Sequence, residues 1–224
     1  MDRDPFTLTM GLSEPAQQLV LVRHGETEWT EKGLLHGRLD IPLSAAGILH
    51  AKHTADHLQG ETIEAIYTSP LSRAAQTASI IGEPHGLKPK ALDGLREMDF
   101  GWSEGKPLHL IETNGSGPRL YRQLARLAMA VTAERPNRFA ARVKFALATV
   151  QASYPQGRVL IVAHWGVLSM MMALLLDGEL YRWRSYGPWT ACGITEVHSV
   201  KDTWQVVCLN DQTHIQEKGF TGIK

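Results

Sequence analysis

Leu19-Val20-Leu21-Val22-Arg23-His24-Gly25-Glu26-Thr27 sets four consecutive apolar residues directly against a cation, an imidazole and a glycine. An apolar run this short, ended this abruptly, reads as a strand buried on both faces, the kind found in parallel sheets. Gly25 permits a sharp turn and the close approach of a ligand. Ligands of open α/β sheets gather beyond the carboxyl ends of the strands, so His24 is expected at the floor of an anion site. A second stretch repeats the pattern: Arg158-Val159-Leu160-Ile161-Val162-Ala163 is another buried strand, and it ends at His164. Parallel strands open on the same side of a sheet, which lets His24 and His164 share one pocket. A lone histidine in such a place is more often structural than chemical; two in matched positions reverse that weighting.

Outward from these two strands, helices and strands alternate. Ser44 is a helix N-cap for a helix running to about Gln59. Thr62 to Tyr67 reads as a strand ended by Thr68-Ser69-Pro70, and Leu71 to Ile81 as a helix stopped by Gly82 and Pro84. Lys88 to Leu92 fits a short strand and the glycine-punctuated Gly94 to Gly105 a loop. Arg119 to Ala133, Asn137 to Ser153 and Gly166 to Leu176 are helical, and Ile194 to Val200 and Trp204 to Leu209 are strands joined by a turn near Lys201-Asp202. The fold class expected is α/β: a three-layer α/β/α sandwich around a mostly parallel central sheet. From about Glu104 to Ser153 a helical lid over one end of the sheet is expected. Residues 18–224 form one domain, and residues 1–17, carrying Pro5, Gly11 and Pro15, a flexible extension. Met10 is a candidate start.

The whole chain narrows the function classes. Its 224 residues suffice for one sizeable core, and a net charge of zero gives no reason to expect nucleic acid or an anionic membrane as partner. Two cysteines, Cys192 and Cys208, are too few for a disulfide framework, so a reducing, cytoplasmic setting is expected. No stretch reaches the ~18 apolar residues of a membrane span. There is neither a Gly-x-x-x-x-Gly-Lys-Ser/Thr phosphate loop nor a Gly-x-Ser-x-Gly nucleophile elbow. His50, His53 and His57 share one helix face at metal-ligand spacing, but with no cysteine or carboxylate to complete a set beyond Asp56 on another face they read as a solvated surface. Met170-Met171-Met172 reads as core filling.

Two arginines complete the anion site. Arg23 follows a buried strand directly, where a charge must be paired or hold a ligand. Arg73 falls near the start of a helix, unfavourable for a cation by the macrodipole but a good station for clamping an anion with its planar fork.

Arg23-His24-Gly25-Glu26-Thr27-x-Trp29 resembles the signature of the histidine phosphatase superfamily, in its phosphoglycerate mutase-like branch. Four further stretches match in order: Asp40-x-Pro42-Leu43-Ser44-x-x-Gly47; Tyr67-Thr68-Ser69-Pro70-Leu71-Ser72-Arg73-Ala74-x-Gln76-Thr77-Ala78; Leu95-Arg96-Glu97-Met98-Asp99-Phe100-Gly101; and Ala163-His164. The resemblance runs from about Gln18 to Glu217. It implies a phosphoglycerate mutase-like fold with His24 as the nucleophile that becomes a phosphohistidine. It also implies that Arg23, Arg73 and His164 surround the phosphoryl group and that Glu97 is the general acid and base. Two nearby arginines disfavour the imidazolium and keep the attacking ring neutral, while an anionic phosphate keeps Glu97 protonated. A protonated His164 is expected to join the arginines in offsetting charge on the equatorial oxygens. With the cations built in, neither a metal nor a cofactor is required.

The departures bear on substrate. Thr30 stands where the family commonly has asparagine, His36-Gly37 replaces the usual Gln-Gly, Leu34 replaces an arginine, and Trp165 replaces the glycine after the second histidine. Trp102 sits one place from its usual position, and no Gly-Glu-Ser appears near Pro136-Asn137-Arg138. Thr30, His36, Gly37 and Trp165 are therefore the expected substrate-binding residues. Trp29, Trp102 and Trp165 form either an apolar pocket mouth or part of the core. The reading is a phosphomonoesterase acting on small-molecule phosphate esters. A cofactor-dependent phosphoglycerate mutase is the alternative, disfavoured because the insert between Glu97 and His164 is short for a closing lid. The ending Asn210-Asp211-Gln212-Thr213-His214-Ile215 also resembles the phosphatase branch. A non-catalytic phosphate-ligand binder of the same fold is the reading from another class. A small phosphorylated substrate is the expected partner, and a homodimer is left open.

Overall fold

The structure is a computed structural model that describes residues 17–111, 118–178, 180–201 and 203–216. Of the extension expected over residues 1–17, residues 1–16 lie outside the described residues, as does Asp202 of the expected turn, whereas Gln17 is not part of an extension: it is buried and pairs in the sheet as the first residue of β1. In chain order the regular elements are β1 (Gln17–Arg23), α1 (Glu28–Glu31), α2 (Ala45–Leu58), β2 (Ala65–Thr68), α3 (Ser72–Gly82), β3 (Lys90–Ala91), α4 (Leu108–Ile111), α5 (Arg119–Thr132), α6 (Pro136–Ser153), β4 (Gly157–Ala163), α7 (Trp165–Leu176), β5 (Ile194–Val200), β6 (Thr203–Asp211) and α8 (Thr213–Gln216). The glycine-rich stretch after β3 is irregular, with short 3-10 turns at Asp93–Leu95 and Gly101–Ser103.

The strands form one sheet in the order β3-β2-β4-β1-β5-β6. β3, β2, β4 and β1 run parallel, and β5 and β6 add an antiparallel pair at the β1 side. Alternation along the central strands feeds two cores. Leu19, Leu21, Val159 and Ile161 face one cluster with Phe139, Val143 and Leu147 of α6 and Val167 and Met171 of α7. Val20, Val22, Leu160 and Val162 face the other, with Ala74, Ala78 and Ile81 of α3 and Leu58 of α2. Helices on both faces explain why the strands are apolar at every position rather than every second one. The result is the three-layer sandwich with a mostly parallel sheet.

Two expectations need correction. α6 is not part of a lid: Phe139 and Val143 are fully buried against the sheet, so it is a core helix. His50 and His53 are not solvated: only His57 of that face is exposed, because α2 turns it towards the C-terminal segment, where the His57 and His214 rings lie 5.0 Å apart. Among the described residues, no group of three or more His, Cys, Asp or Glu is placed to hold a metal ion. No described helix is long and apolar enough to cross a membrane. The methionines at 170–172 are buried in the first core.

Candidate active site

The register of the central strands builds the site. β1 pairs with β4 so that Arg23 lies opposite Ala163, and each strand then delivers a histidine as its next residue. The His24 amide donates to the Ala163 carbonyl at 3.0 Å, and the His24 and His164 ring centroids are 5.1 Å apart. Both rings are buried. The turn after His24 depends on two glycines: a Cβ on Gly25 would come within 2.6 Å of the Gly47 carbonyl oxygen, and one on Gly47 within 2.1 Å of the Glu26 carbonyl oxygen. Two backbones thus cross in contact, which explains why Gly25 and Gly47 recur in separate motifs. The Gly25 amide donates to Thr77 Oγ1 of α3 at 3.0 Å, and Ser44 caps α2 by accepting from the Gly47 amide.

Arg73 is fully buried at the first turn of α3. Its Nη2 donates to the Gly37 carbonyl at 2.7 Å and its Nη1 to the Leu39 carbonyl at 3.0 Å. Its Nε donates to His24 Nε2 at 3.3 Å. Asp40, from the same turn that holds the guanidinium, accepts from the Ser72 amide at 2.7 Å and ties that turn to the helix start. Arg23 is anchored through its Nη1, which donates to the Trp189 carbonyl at 2.7 Å.

These contacts set the tautomer of His24. Nδ1 lies 2.7 Å from the Gly25 carbonyl, which can only accept, so the proton is on Nδ1 and the lone pair on Nε2. Nε2 receives the Arg73 N–H, so the lone pair already points into the cationic end of the pocket. Burial first, then Arg73 and Arg23, hold the His24 pKa well below 6.5, so the ring is neutral at physiological pH.

His164 differs from expectation. Burial, followed by Arg73 and His24, holds its pKa well below 6.5 as well, so without a bound anion it is neutral rather than protonated. Neither of its ring nitrogens has a hydrogen-bond partner, an uncommon state for a buried polar group that a bound oxyanion would relieve.

Glu97 is buried, and its pKa is raised above 4.5 by that burial, against the pull of two backbone amides and the two arginines. Its Oε1 accepts from the Met98 amide at 2.9 Å and its Oε2 from the Gly166 amide at 3.1 Å. A Cβ at Gly166 would stand 2.5 Å from Oε1, so the carboxyl rests directly on the start of α7. Its field is felt by both Arg23 and Arg73.

The expected substrate-binding residues are placed unevenly. His36 comes to 6.1 Å from His24 between ring centroids, with Nε2 2.6 Å from Thr27 Oγ1, and burial together with Arg73 and Arg23 lowers its pKa to about 4. Gly37 contributes its carbonyl to Arg73 and has no room for a side chain, since a Cβ would overlap Glu104. Trp165 follows His164 and packs edge-on against Trp183 at 5.6 Å. The Thr30 hydroxyl lies 3.2 Å from Thr27 Oγ1 in a capping box at the start of α1. Of the three tryptophans, Trp29 packs on His36 at 5.7 Å, whereas Trp102 is at the surface under Lys106.

Residues 19–212 match the histidine phosphatase superfamily (branch 1). The chain belongs to that superfamily. It is 32% identical over 197 residues to the Bacillus subtilis protein named uncharacterized phosphatase PhoE, covering 87% of this chain and 95% of that one. It is 32% identical over 203 residues to putative phosphoserine phosphatase 2 of Hydrogenobacter thermophilus, covering 90% and 98%. Among solved structures, the alpha-ribazole phosphatase of Shigella flexneri superposes with a TM-score of 0.74 at 25% identity, covering 87% of this chain and 96% of that one. A mycobacterial glucosyl-3-phosphoglycerate phosphatase complexed with VO3 gives 0.75 at 28%, covering 88% and 100%. The sheet order and the paired strand ends described above are thus those of a histidine phosphatase superfamily member.

Sequence reading missed several supports of this superfamily site: Thr77 on the Gly25 amide, Glu104 beneath the 37–39 turn, and the pair Glu134–Arg142. Glu134 stands two residues before Pro136-Asn137-Arg138, where no Gly-Glu-Ser is present.

Proposed function

We propose that this chain is a phosphomonoesterase that hydrolyses small-molecule phosphate esters through a phosphohistidine on His24, with no metal or cofactor. The observation that carries the reading is the Arg73 Nε–His24 Nε2 contact at 3.3 Å in a pocket where both rings are buried and neutral. A bound phosphoryl group takes over that guanidinium N–H, releasing the Nε2 lone pair onto phosphorus. As the N–P bond forms, the P–O ester bond breaks and the Glu97 carboxyl gives its proton to the departing oxygen. Arg23, Arg73 and His164 meet the charge spread over the equatorial oxygens. The Glu97 carboxylate then takes a proton from water as the water oxygen attacks phosphorus. The P–N bond breaks, its electron pair returns to Nε2, and inorganic phosphate leaves. The chemistry asks for a proton donor and fixed cations, both of which the chain supplies.

The substrate class follows from the relatives in outline only. Phosphoserine, alpha-ribazole phosphate and glucosyl-3-phosphoglycerate are named for other members, and all are small phosphate monoesters. Phosphate release is measured across sugar phosphates, glycerate phosphates, nucleotides and phosphoamino acids in the presence of a chelator. Turnover that persists in chelator supports the proposal; a folded protein inert on the whole panel contradicts it. A parallel assay with 3-phosphoglycerate and bisphosphoglycerate separates the mutase, which isomerises, from the phosphatase, which releases phosphate.

The pH dependence has a definite sign. Attack requires neutral His24, whose pKa is depressed well below 6.5, so the acid limb of kcat/KM falls well below that value. Donation requires protonated Glu97, whose pKa is raised above 4.5, so activity declines on the alkaline side as that carboxyl ionises. A kcat/KM profile corrected for substrate ionisation is therefore expected to be bell-shaped, with its acid limb below 6.5 and its alkaline limb above 4.5. An acid limb at or above pH 6.5 would contradict the buried, neutral nucleophile.

A further inference from the structure

Arg142 on α6 uses every N–H it has on one short stretch of chain and one carboxylate. Its Nη1 donates to the carbonyls of Gly94 at 2.9 Å and Arg96 at 2.5 Å. Its Nη2 donates to the carbonyl of Glu97 at 2.9 Å and to Glu134 Oε2 at 2.7 Å, and its Nε to Glu134 Oε1 at 2.8 Å. Five donors meet five acceptors in the fork geometry that only arginine offers. The stretch it grips is the one that delivers the Glu97 carboxyl to the site.

Glu134 holds the same stretch from the other side. Its amide donates to the Asp99 carbonyl at 2.8 Å, and its Oε2 lies 3.4 Å from the Asp99 amide. Its Oε1 also accepts from Arg38 Nη2 at 3.2 Å. Arg38 lies between Gly37 and Leu39, whose carbonyls hold Arg73. Glu104 ties the same two segments together, accepting from the amides of Arg38, Leu39 and Phe100 at 2.9, 2.9 and 3.0 Å. The proton donor and the phosphate clamp are therefore set from a shared frame.

We infer that the Arg142–Glu134 pair positions the Glu97 carboxyl for proton delivery to the leaving group. Neither side chain is assigned a contact with substrate; both act through the backbone of residues 94–99. This rests on Glu97 being the proton donor. Loss of Arg142 releases the 94–97 carbonyls and lets the carboxyl drift, and a misplacement of about 1 Å costs on the order of 100-fold in rate, whereas the clamp keeps Arg73 on the Gly37 and Leu39 carbonyls and Glu104 on the Arg38 and Leu39 amides.

The test turns on the leaving group. An alkyl alkoxide needs the proton, whereas p-nitrophenolate departs without it. Pre-steady-state rate constants for phosphoenzyme formation are measured for Arg142→Lys, Glu134→Gln and Glu97→Gln with an alkyl phosphate and with p-nitrophenyl phosphate. Circular dichroism and thermal melting check each variant's fold. Arg142→Lys is expected to slow the alkyl ester by roughly 30- to 100-fold and the aryl ester by less than about 3-fold, with Glu134→Gln showing the same pattern more weakly. Equal slowing of both esters, or no slowing of either, overturns the inference. If Arg142→Lys does not fold, Glu134→Gln alone decides by the same criterion. Glu97→Gln separates the two levels. If it discriminates the esters and the pair's variants do not, only the positioning role fails. If it does not discriminate them, the assignment of Glu97 as donor fails and the positioning role with it.

Discussion

His24→Ala lowers kcat on the best phosphate ester by roughly four to six orders of magnitude, the scale seen when a covalent nucleophile is removed from a set of groups that act as a unit. The geometry explains why nothing replaces it. Nε2 is the ring atom that faces Arg73; His164, 5.1 Å away between centroids, has no Gly25 carbonyl to fix its tautomer, and His36, at 6.1 Å, has its Nε2 engaged with Thr27 Oγ1. The substitution removes a buried ring whose neighbours are polar, so the fold survives with a melting temperature changed by a few degrees. Inorganic phosphate still binds, because Arg23 and Arg73 keep their own carbonyl anchors. Residual turnover within tenfold of the wild type would remove His24 as nucleophile.

Arg73→Ala is the second large effect, a loss of about three to five orders of magnitude in kcat/KM, the range of an arginine that stabilises a transferring phosphoryl group. Arg73 is fully buried and held by the carbonyls of Gly37 and Leu39, so its charge is fixed in place before substrate arrives. That preorganisation is what makes a cation effective in a water-poor pocket. Burial lowers its pKa only to about 10, so it remains charged at neutral pH. Removal also takes the donor from two carbonyls of the 37–39 turn, which Glu104 still holds through the Arg38 and Leu39 amides. Arg73→Lys recovers little, since one ammonium cannot reach both carbonyls and His24 together. The readouts are kcat/KM and inhibition by inorganic phosphate, both expected to weaken. A loss under tenfold with phosphate inhibition intact would contradict the clamp.

How much of this was legible in the sequence depends on how local each cause is. Leu19–His24 and Val159–His164 carry their own explanation: a doubly buried strand can only be apolar throughout, and the first polar residue after it can only emerge at the sheet edge. The parallel register then makes their histidines neighbours. Arg73 was legible from its place at a helix start, where a cation has no local reason to be. Arg142 and Glu134 were not. Each sits in or beside a helix where a charged residue is ordinary, and what distinguishes Arg142 is three carbonyls contributed from 45 or more residues away. His50 and His53 misled for the same reason reversed: a polar helix face reads as solvated until the chain's last described helix is known to lie near it. The protonation of His164 could not be read from residue type, because it turns on burial beside two guanidinium groups.

A covalent phosphohistidine on His24 is trapped by rapid quench with a 32P-labelled ester. The prediction is an acid-labile, base-stable label that forms within a single turnover, maps to the peptide carrying His24 and is absent in His24→Ala. Turnover without any trapped label, or a label on another residue, would contradict it.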